Sequence, residues 1–202
     1  MTTTRRQTKD ARRASLLQAA LAEFNERGFH GASTRSITSA AGISSGLLFH
    51  YFASKEALYE ELIALGFAEF EADADAAVAD PLGFLRGVAE GVLGLLRLTP
   101  EASAMFTFMA RAERHPGISA RADELLTRHD LLPVLVSCLA AGQQADLIRP
   151  GNPHALALAF WSALQGLAEA LGAHPDAPLP EADWLLAIVV NPATEPDREP
   201  GA

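Results

Sequence analysis

The chain has 202 residues, of which 49% are hydrophobic, so it is long enough to bury one large core or two smaller ones. Its 16 Lys and Arg stand against 25 Asp and Glu, a net charge of -9, which by itself argues against nucleic acid because phosphates repel an acidic surface. The only cysteine, Cys138, cannot form an intrachain disulfide, which is typical of a reducing compartment.

The charge is distributed unevenly along the chain. Residues 1–55 hold eight basic and three acidic residues, a net charge of +5, whereas residues 56–202 hold eight basic and 22 acidic residues, a net charge of -14. This asymmetry predicts a basic N-terminal domain joined to an acidic body. An ordinary solvated surface explains the basic charges equally well, so a motif has to decide between the two interpretations.

The first predicted helix covers about residues 11–27. Leu17, Leu21 and Phe24 recur at helical spacing and give this helix one apolar face, and Gly28 ends it. We find helical periods along the rest of the chain as well, and no strand pattern or internal repeat.

The stretch STRSITSAAGISSGLLFHYFASKEAL, residues 33–58, indicates two short helices joined at a glycine and followed by a third. Thr34 can cap the first helix, and Ser44 can cap the second. Gly42 supplies the left-handed backbone that a sharp turn needs. The arrangement predicts a helix-turn-helix DNA-binding unit.

Apolar residues give both short helices an inward face. In the first helix these residues are Ile37, Ala40 and Ala41, and in the second they are Leu48 and Phe52. The other residues of the second helix are left to face outward, which predicts a surface that enters a groove of DNA: Ser45, Gly46, Leu47, Phe49, His50 and Tyr51.

Later helix boundaries are marked by capping residues and prolines. Ser54 can cap a long helix from Lys55 to about Ala79, with an inward face made by Leu58, Leu62, Leu65 and Phe67. Further helix starts are predicted at Asp80-Pro81, Thr99-Pro100 and Asn152-Pro153, a break at His115-Pro116-Gly117, and a kink or division at Pro133 within a helix over about residues 119–141.

The predicted helix from Pro153 to Leu171 carries two stripes at helical spacing, and a shorter apolar helix follows at about Trp184–Val190. One stripe has large side chains, as a plain core helix also has. The other has small side chains that let a second helix approach closely. The large stripe is Phe160, Leu164, Leu167 and Leu171, and the small stripe is Ala159, Ala163, Gly166 and Ala170.

The runs ARRASLLQAALAEFNERGFHGAS and GISSGLLFHYFASKEAL resemble the signature of the TetR family of bacterial transcriptional regulators over about residues 10–62. That family most often has Tyr where this chain has Phe49, so a hydroxyl contact from that position is absent. The resemblance implies an all-α fold, in which a three-helix N-terminal helix-turn-helix DNA-binding unit joins a larger helical ligand-binding and dimerisation body. The domains expected on this basis are residues 1–55 and residues 56–190. The composition of residues 191–202 predicts a disordered tail.

The family's motif also implies roles for individual residues. Arg35 is suited to a bidentate contact with a guanine edge, and Leu47 to a thymine methyl group. Ser45, Gly46 and His50 are expected at the major groove beside Phe49, and the residues expected to bind phosphates are Thr34, Tyr51 and Lys55. Arg5, Arg6 and Lys9 are expected to form a mobile arm along the DNA.

By the same resemblance, the chain is expected to be a homodimeric repressor that leaves a palindromic double-stranded operator when an unknown small-molecule effector binds. The dimer interface is expected to use the small stripe (Ala159, Ala163, Gly166, Ala170) and Trp184. Candidates for the effector pocket, which could equally be core residues, are Phe67, Phe70, Met105, Phe106, Phe108, Met109, Arg111, Trp161 and Gln165.

Other function classes fit the sequence less well. Gly42-Ile43-Ser44-Ser45-Gly46 matches the G-x-S-x-G pattern of hydrolases, but it follows a helix and not a strand. Cys138 lies in an apolar helix with no nearby His, and His115, His129 and Cys138 lack a metal-ligand spacing. We therefore expect no enzyme activity, cofactor or metal. A helical protein-interaction module without sequence-specific DNA binding is the alternative. Because no signal peptide or 18-residue apolar run is evident, we expect a cytoplasmic protein that does not enter a membrane.

Overall fold

A computed structural model describes residues 2–67, 73–98 and 100–194, with no account of the side chains of residues 2–8, 98, 100 and 194. The described residues confirm the all-α prediction, since their regular structure is helical apart from one isolated β-bridge between Ile148 and Val190. The helices are α1 (Thr2–Gly31), α2 (Thr34–Ala40), α3 (Ser45–Tyr51), α4 (Lys55–Phe67), α5 (Ala74–Ala79), α6 (Pro81–Leu98), α7 (Pro100–Arg114), α8 (Ala120–Arg128), α9 (Leu132–Gln144), α10 (Pro153–Ala173) and α11 (Ala182–Leu186), with a 3-10 turn at Pro192–Thr194.

The chain folds into two compact units. The first unit comprises Met1–Phe70 and Ala104–Arg128, and the second comprises Glu71–Ser103 and His129–Ala202. Compactness thus places α4, α8 and most of α7 with the helix-turn-helix segment. The expected domain boundary at residue 55 lies inside the first unit and does not separate two compact units. As a functional boundary it stays a prediction.

The core of the first unit joins α1 to the helices that follow it. Leu48 and Phe52 are buried as predicted, and they belong to the same apolar cluster as Phe24. The Phe24 ring lies 5.4 Å from the ring of Tyr59 and 6.2 Å from that of Phe108, measured between centroids. Burial, followed by the charge of Asp123, raises the pKa of Tyr59 to about 12. The phenol is therefore neutral, as a core residue requires.

One of the predicted inward positions at α2 and one on α4 are wrong. Ile37 is fully buried and the half-buried Ala41 packs against the same core, but Ala40 is exposed. On α4, Leu65 is 44% exposed, and the inward face is completed by Tyr59 and Ile63 beside the expected Leu58 and Leu62. The wider face of α4 follows from its packing on both α1 and α8, because a helix with two neighbours buries more than one stripe.

The prediction of one helix from Lys55 to about Ala79 is also wrong. The structure has α4 ending at Phe67 and a separate α5 starting after Asp73. The Asp73 carboxylate accepts from the backbone N–H groups of Asp75 and Ala76 at 3.0 and 3.1 Å, and so starts a new helix.

The predicted proline boundaries are confirmed, with helices beginning at Pro81, Pro100 and Pro153. The residue before Pro100 lies outside the described residues. Pro133 divides the predicted helix instead of kinking it, because α9 begins one residue earlier. The N–H groups of the first helical turn have no partner within the helix. A proline at this position therefore removes no helical hydrogen bond.

In the second unit, the chain after α11 pairs with the loop before α10. The predicted helix to Val190 is therefore too long. The Arg149 N–H donates to the Val189 carbonyl, and the Asn191 N–H donates to the Leu147 carbonyl, both at 2.9 Å. The Arg149 guanidinium also donates to the Ala187 carbonyl at 2.7 Å. The backbone groups that would have continued α11 are used by this loop instead.

By length and composition alone, two helical stretches among the described residues are suited to crossing a membrane, Ala120–Gln144 and Pro153–Ala173. The sequence predicted none. The first stretch is interrupted between α8 and α9, and α10 fully buries Phe160 and Leu164 in its own unit. Core helices of soluble proteins meet the same criterion, so the finding is weak evidence for a membrane span.

Candidate nucleic-acid interface

The start of α2 is fixed by a reciprocal capping box. Ser33, and not the predicted Thr34, is the cap, because its extended backbone places its hydroxyl oxygen 3.0 Å from the Ser36 N–H that it accepts from. The Ser36 hydroxyl oxygen accepts in turn from the Ser33 N–H at 3.1 Å. Thr34 is the first helical residue, so its hydroxyl remains available for the predicted phosphate contact.

The turn between α2 and α3 depends on Gly42, as predicted. Its φ is 67°, in the left-handed region, and the Ile43 N–H then donates to the Thr38 carbonyl at 3.0 Å. A Cβ added at Gly42 meets no atom within 4 Å, so the glycine is required by backbone conformation and not by space.

Replacing Gly42 with alanine is therefore expected to destabilise the protein by about 1–2 kcal/mol, which lowers its melting temperature by roughly 2–8 °C. Gly46→Ala is a matched control, since Gly46 lies within α3 and its added Cβ also meets nothing. Alanine should leave the melting temperature unchanged or raised there. Equal losses in both variants, measured by thermal denaturation, would contradict a conformational role for Gly42.

Helix α3 exposes four of its seven residues. Among its seven residues, Leu48 is the buried one, while Ser45, Gly46, Phe49 and His50 are exposed. Phe49 is 55% exposed, which is unusual for a large apolar side chain. Ser44 precedes the helix with an extended backbone, but its side chain makes no capping hydrogen bond. Leu47 and Tyr51 are half-buried, and the Tyr51 ring packs on the apolar cluster of the first unit.

Lys55 has a structural role that sequence reasoning missed. Its ammonium donates to the carbonyls of Phe29 and Ala32 at 2.6 and 2.8 Å, and it lies 4.1 Å from the centre of the Phe29 ring. These contacts join the start of α4 to the chain between α1 and α2. Nothing in the local sequence marks Phe29 or Ala32 as partners, because they lie 26 and 23 residues away.

The start of α4 is capped as predicted. The Ser54 hydroxyl oxygen accepts from the Ala57 N–H at 3.2 Å. A hydrogen bond with the Ser54 side chain, and then one with its own backbone, lowers the pKa of Glu56. The ionised Glu56 lies in the first turn of α4, where its negative charge is attracted to the partial positive charge of the helix start.

Two arginines of the N-terminal segment are paired within the first unit. Arg13 contacts Glu61 at 2.6 Å and lies over the Phe52 ring, and Arg27 contacts Glu23 at 3.2 Å. These pairs reduce the positive charge that the segment offers to a partner. Arg35 is exposed at the start of α2, where its guanidinium is accessible. The side chains of Arg5 and Arg6 lie outside the described residues.

The candidate effector residues are divided between the units. Phe108 and Met109 are buried in the apolar core of the first unit, which Met105 and Phe67 also contact. Arg111 donates to the Asn25 carbonyl of α1, and Phe106 is half-buried. Trp161 and Gln165 lie on α10 of the second unit, and Phe70 is outside the described residues. A pocket formed by these residues stays a prediction.

The small stripe of α10 faces solvent in the single chain. Ala159, Gly166 and Ala170 are exposed, and Ala163 is half-buried. Nearby in sequence on α10, Leu158 is 44% exposed, and Trp184 on α11 is 68% exposed. Within the described residues, the largest exposed apolar side chain is thus on α11, one of the two helices predicted to form the interface.

The environment of Cys138 does not favour a nucleophilic role. Cys138 is fully buried and donates to the Pro81 carbonyl at 3.5 Å, and burial followed by the charge of Asp80 raises its pKa to about 12. A protonated buried thiol is a poor nucleophile. Across residues 2–67, 73–98 and 100–194, no group of three His, Cys, Asp or Glu side chains is placed to hold a metal ion.

Comparison with known proteins agrees with this geometry. The family profile described as bacterial regulatory proteins of the tetR family matches residues 16–62, which contain α2, α3 and most of α4. Residues 16–62 therefore belong to the DNA-binding segment of the TetR family. The transcriptional repressor KstR2 of Mycobacterium tuberculosis is 41% identical over 83 residues, which are 39% of this chain and 41% of KstR2. The regulator UidR of Escherichia coli is 34% identical over 112 residues, 54% of this chain and 55% of UidR.

These TetR-family matches span about half, or less, of the relatives' length. Solved structures extend the likeness at the level of fold. The regulator PfmR from Thermus thermophilus has a TM-score of 0.61 at 25% identity and covers 85% of this chain and 93% of its own. KstR2 has a TM-score of 0.65 at 22% identity, with 89% and 95% covered, which shows the fold alone.

Proposed function

We propose that this chain is a ligand-responsive transcriptional regulator of the TetR family, a homodimeric repressor that a small molecule releases from a palindromic operator. The observation that carries the proposal is α3, a short helix anchored by Leu48 and Tyr51 that exposes Ser45, Gly46, Phe49 and His50. A helix positioned in this way by α2 and a glycine turn fits the major groove of B-DNA.

Recognition needs two copies of the chain. One helix of seven residues spans few base pairs, so specificity requires a second α3 placed about one helical turn of DNA away, roughly 34 Å, on a palindromic site. The exposed small stripe of α10 and the exposed Trp184 support a two-fold interface built from α10 and α11 of both chains. In this arrangement Thr34 and Tyr51 contact phosphates, and Arg35, Ser45, Leu47 and His50 contact base edges.

The effector acts by binding the DNA-incompetent state of the dimer more tightly. A complete switch from 1:99 to 99:1 requires about 5.5 kcal/mol of preference for that state. The second unit supplies an apolar helical body for such a ligand, and the predicted lining on α10 is Trp161 and Gln165.

The first test is fluorescence anisotropy of the full chain with duplex DNA flanking its own gene, titrated against an unrelated duplex of equal length at several salt concentrations. Specific regulation predicts that the flanking DNA binds more tightly by about a thousandfold or more. Equal binding to both duplexes, with only a steep dependence on salt, would reduce the chain to a nonspecific phosphate binder at this DNA.

Within that assay, Arg35→Ala is expected to weaken operator binding by roughly 1–3 kcal/mol and to relax the preference at one base position. Arg12→Ala is the matched control, because Arg12 is exposed on α1, outside the helix-turn-helix segment. Its loss should leave every base preference unchanged. A uniform loss of affinity in the Arg35 variant, with all base preferences retained, would mean that Arg35 contacts phosphate and not a base.

A further inference from the structure

A buried hydroxyl joins the two helices of the helix-turn-helix unit. Thr38 on α2 is 3% exposed, and its Oγ1 donates to the Arg35 carbonyl at 3.2 Å. The same oxygen lies 3.4 Å from the Oγ of Ser45, the first residue of α3. Ser45 is itself exposed on the surface predicted to enter the groove. The three groups therefore form a short chain from the backbone of one candidate base-contacting residue to the side chain of another.

Counting hydrogen atoms fixes the direction of this chain. A threonine hydroxyl carries one hydrogen and the Arg35 carbonyl carries none, so the Thr38 hydrogen must point to that carbonyl. The contact between Thr38 and Ser45 then requires the hydrogen of Ser45. The opposite direction would leave the Thr38 oxygen facing the Arg35 carbonyl with no hydrogen between them, on a side chain that is only 3% exposed.

This direction changes what Ser45 offers to DNA. A free serine hydroxyl donates or accepts and so binds any base edge. With its only hydrogen given to Thr38, Ser45 offers lone pairs alone. In the major groove the exocyclic amino groups of adenine and cytosine are donors, whereas guanine O6 and thymine O4 are acceptors. A Ser45 that only accepts hydrogen bonds can therefore bind the amino groups of adenine and cytosine, whereas it is repelled by guanine O6 and thymine O4.

We infer that Ser45 is a specificity-determining residue that selects adenine or cytosine at one position of each operator half-site, and that Thr38 is the positioning residue that makes it an acceptor. This inference rests on the proposed function, since it names a contact of the same helix-turn-helix unit. It assigns to the buried Thr38, which touches no DNA, a measurable effect on base preference.

The test is selection of binding sites by the full chain from duplexes of random central sequence, followed by anisotropy on the enriched site and its single-base variants. The position at which Ser45→Ala loses its preference is the position that Ser45 contacts. At that position the unmodified protein should favour adenine and cytosine over guanine and thymine by about threefold to tenfold. Thr38→Val, which removes the hydroxyl and keeps the shape, should reduce that preference below about twofold.

Thr127→Val is the matched control for loss of a threonine hydroxyl. Thr127 on α8 also donates to a helix carbonyl, that of Asp123 at 2.8 Å, and it lies outside the helix-turn-helix unit. It should leave the base preference as it is. Retention of the full preference by Thr38→Val, or a preference for guanine and thymine in the unmodified protein, would overturn the inference.

Thermal denaturation separates this inference from the proposed function, because it needs no DNA. The hydroxyl chain predicts that Thr38→Val and Ser45→Ala are not additive, with a coupling worth about 1–4 °C in melting temperature. Additive losses would overturn the inference even if the protein proves to be a specific regulator. If the selection enriches no sequence at all, the proposed function fails, and the inference fails with it.

Discussion

Replacing Lys55 with methionine is expected to lower the free energy of unfolding by about 2–4 kcal/mol, and so to lower the melting temperature by roughly 5–15 °C. The variant keeps most of the aliphatic stem but loses the ammonium that binds the Phe29 and Ala32 carbonyls at 2.6 and 2.8 Å. Both carbonyls then lose a charge-assisted partner, and the link between the start of α4 and the segment before α2 is broken.

The matched control is Lys9→Met, because Lys9 and Lys55 are the two lysines of the sequence and Lys9 is exposed on α1. We expect the Lys9 variant to melt at the temperature of the unmodified protein. If Lys55 instead served only as a phosphate contact, its replacement would leave stability unchanged and reduce the salt slope of DNA binding by about one unit. Thermal denaturation of both variants and a salt titration of the Lys55 variant separate the two roles.

Replacing Gly166 with glutamate is expected to raise the dissociation constant of the homodimer by at least about a hundredfold and to abolish specific operator binding. Gly166 lies in the small stripe of α10, and an added Cβ meets no atom of its own chain within 4 Å. The substitution therefore fits the single chain. It is disfavoured only if a second helix packs there, because a carboxylate would then be buried against an apolar surface without a partner.

Gly91→Glu is the matched control for that experiment. Gly91 also lies within a helix of the second unit, is exposed, and has an added Cβ that meets nothing within 4 Å. The two substitutions thus have the same cost in helix propensity and the same change in charge. Sedimentation at micromolar concentration should show dimers for the unmodified protein and for the Gly91 variant, and monomers for the Gly166 variant. A Gly166 variant that stays dimeric would remove the proposed interface.

Agreement between sequence and structure is best where a feature depends on near neighbours. The sequence predicts a left-handed Gly42, and its φ is 67°. The sequence also predicts helix starts at Pro81 and Pro153 from the side chain before each proline. The side-chain oxygens of Asp80 and Asn152 do accept from backbone N–H groups of the following turn. Such features need atoms only two or three residues apart, so the order of residues suffices to predict them.

Even nearby features fail when two residues compete for one role. Ser33 and Thr34 both carry a hydroxyl suited to capping. Ser33 is the cap because the hydroxyl of Ser36, three residues later, accepts a hydrogen bond from the Ser33 N–H in return. The pattern Ser33-x-x-Ser36 is visible in the sequence but is weaker than a pattern ending in Glu or Gln. Asp73 is a similar case. It caps a separate helix, α5, but it lies within a stretch whose apolar spacing predicts one continuous helix.

The sequence by itself determined the all-α class, the helix-turn-helix segment and most helix boundaries, because periodicity, capping and turn chemistry act within a few residues. Only the tertiary structure decided that residues 104–128 pack with the N-terminal helices, that Lys55 binds Phe29 and Ala32, and that Thr38 meets Ser45. These contacts join different helices, and nothing in the period of one helix specifies which residue of another it will meet. Side chains such as Lys55 and Phe108 acquired their partners from packing between helices.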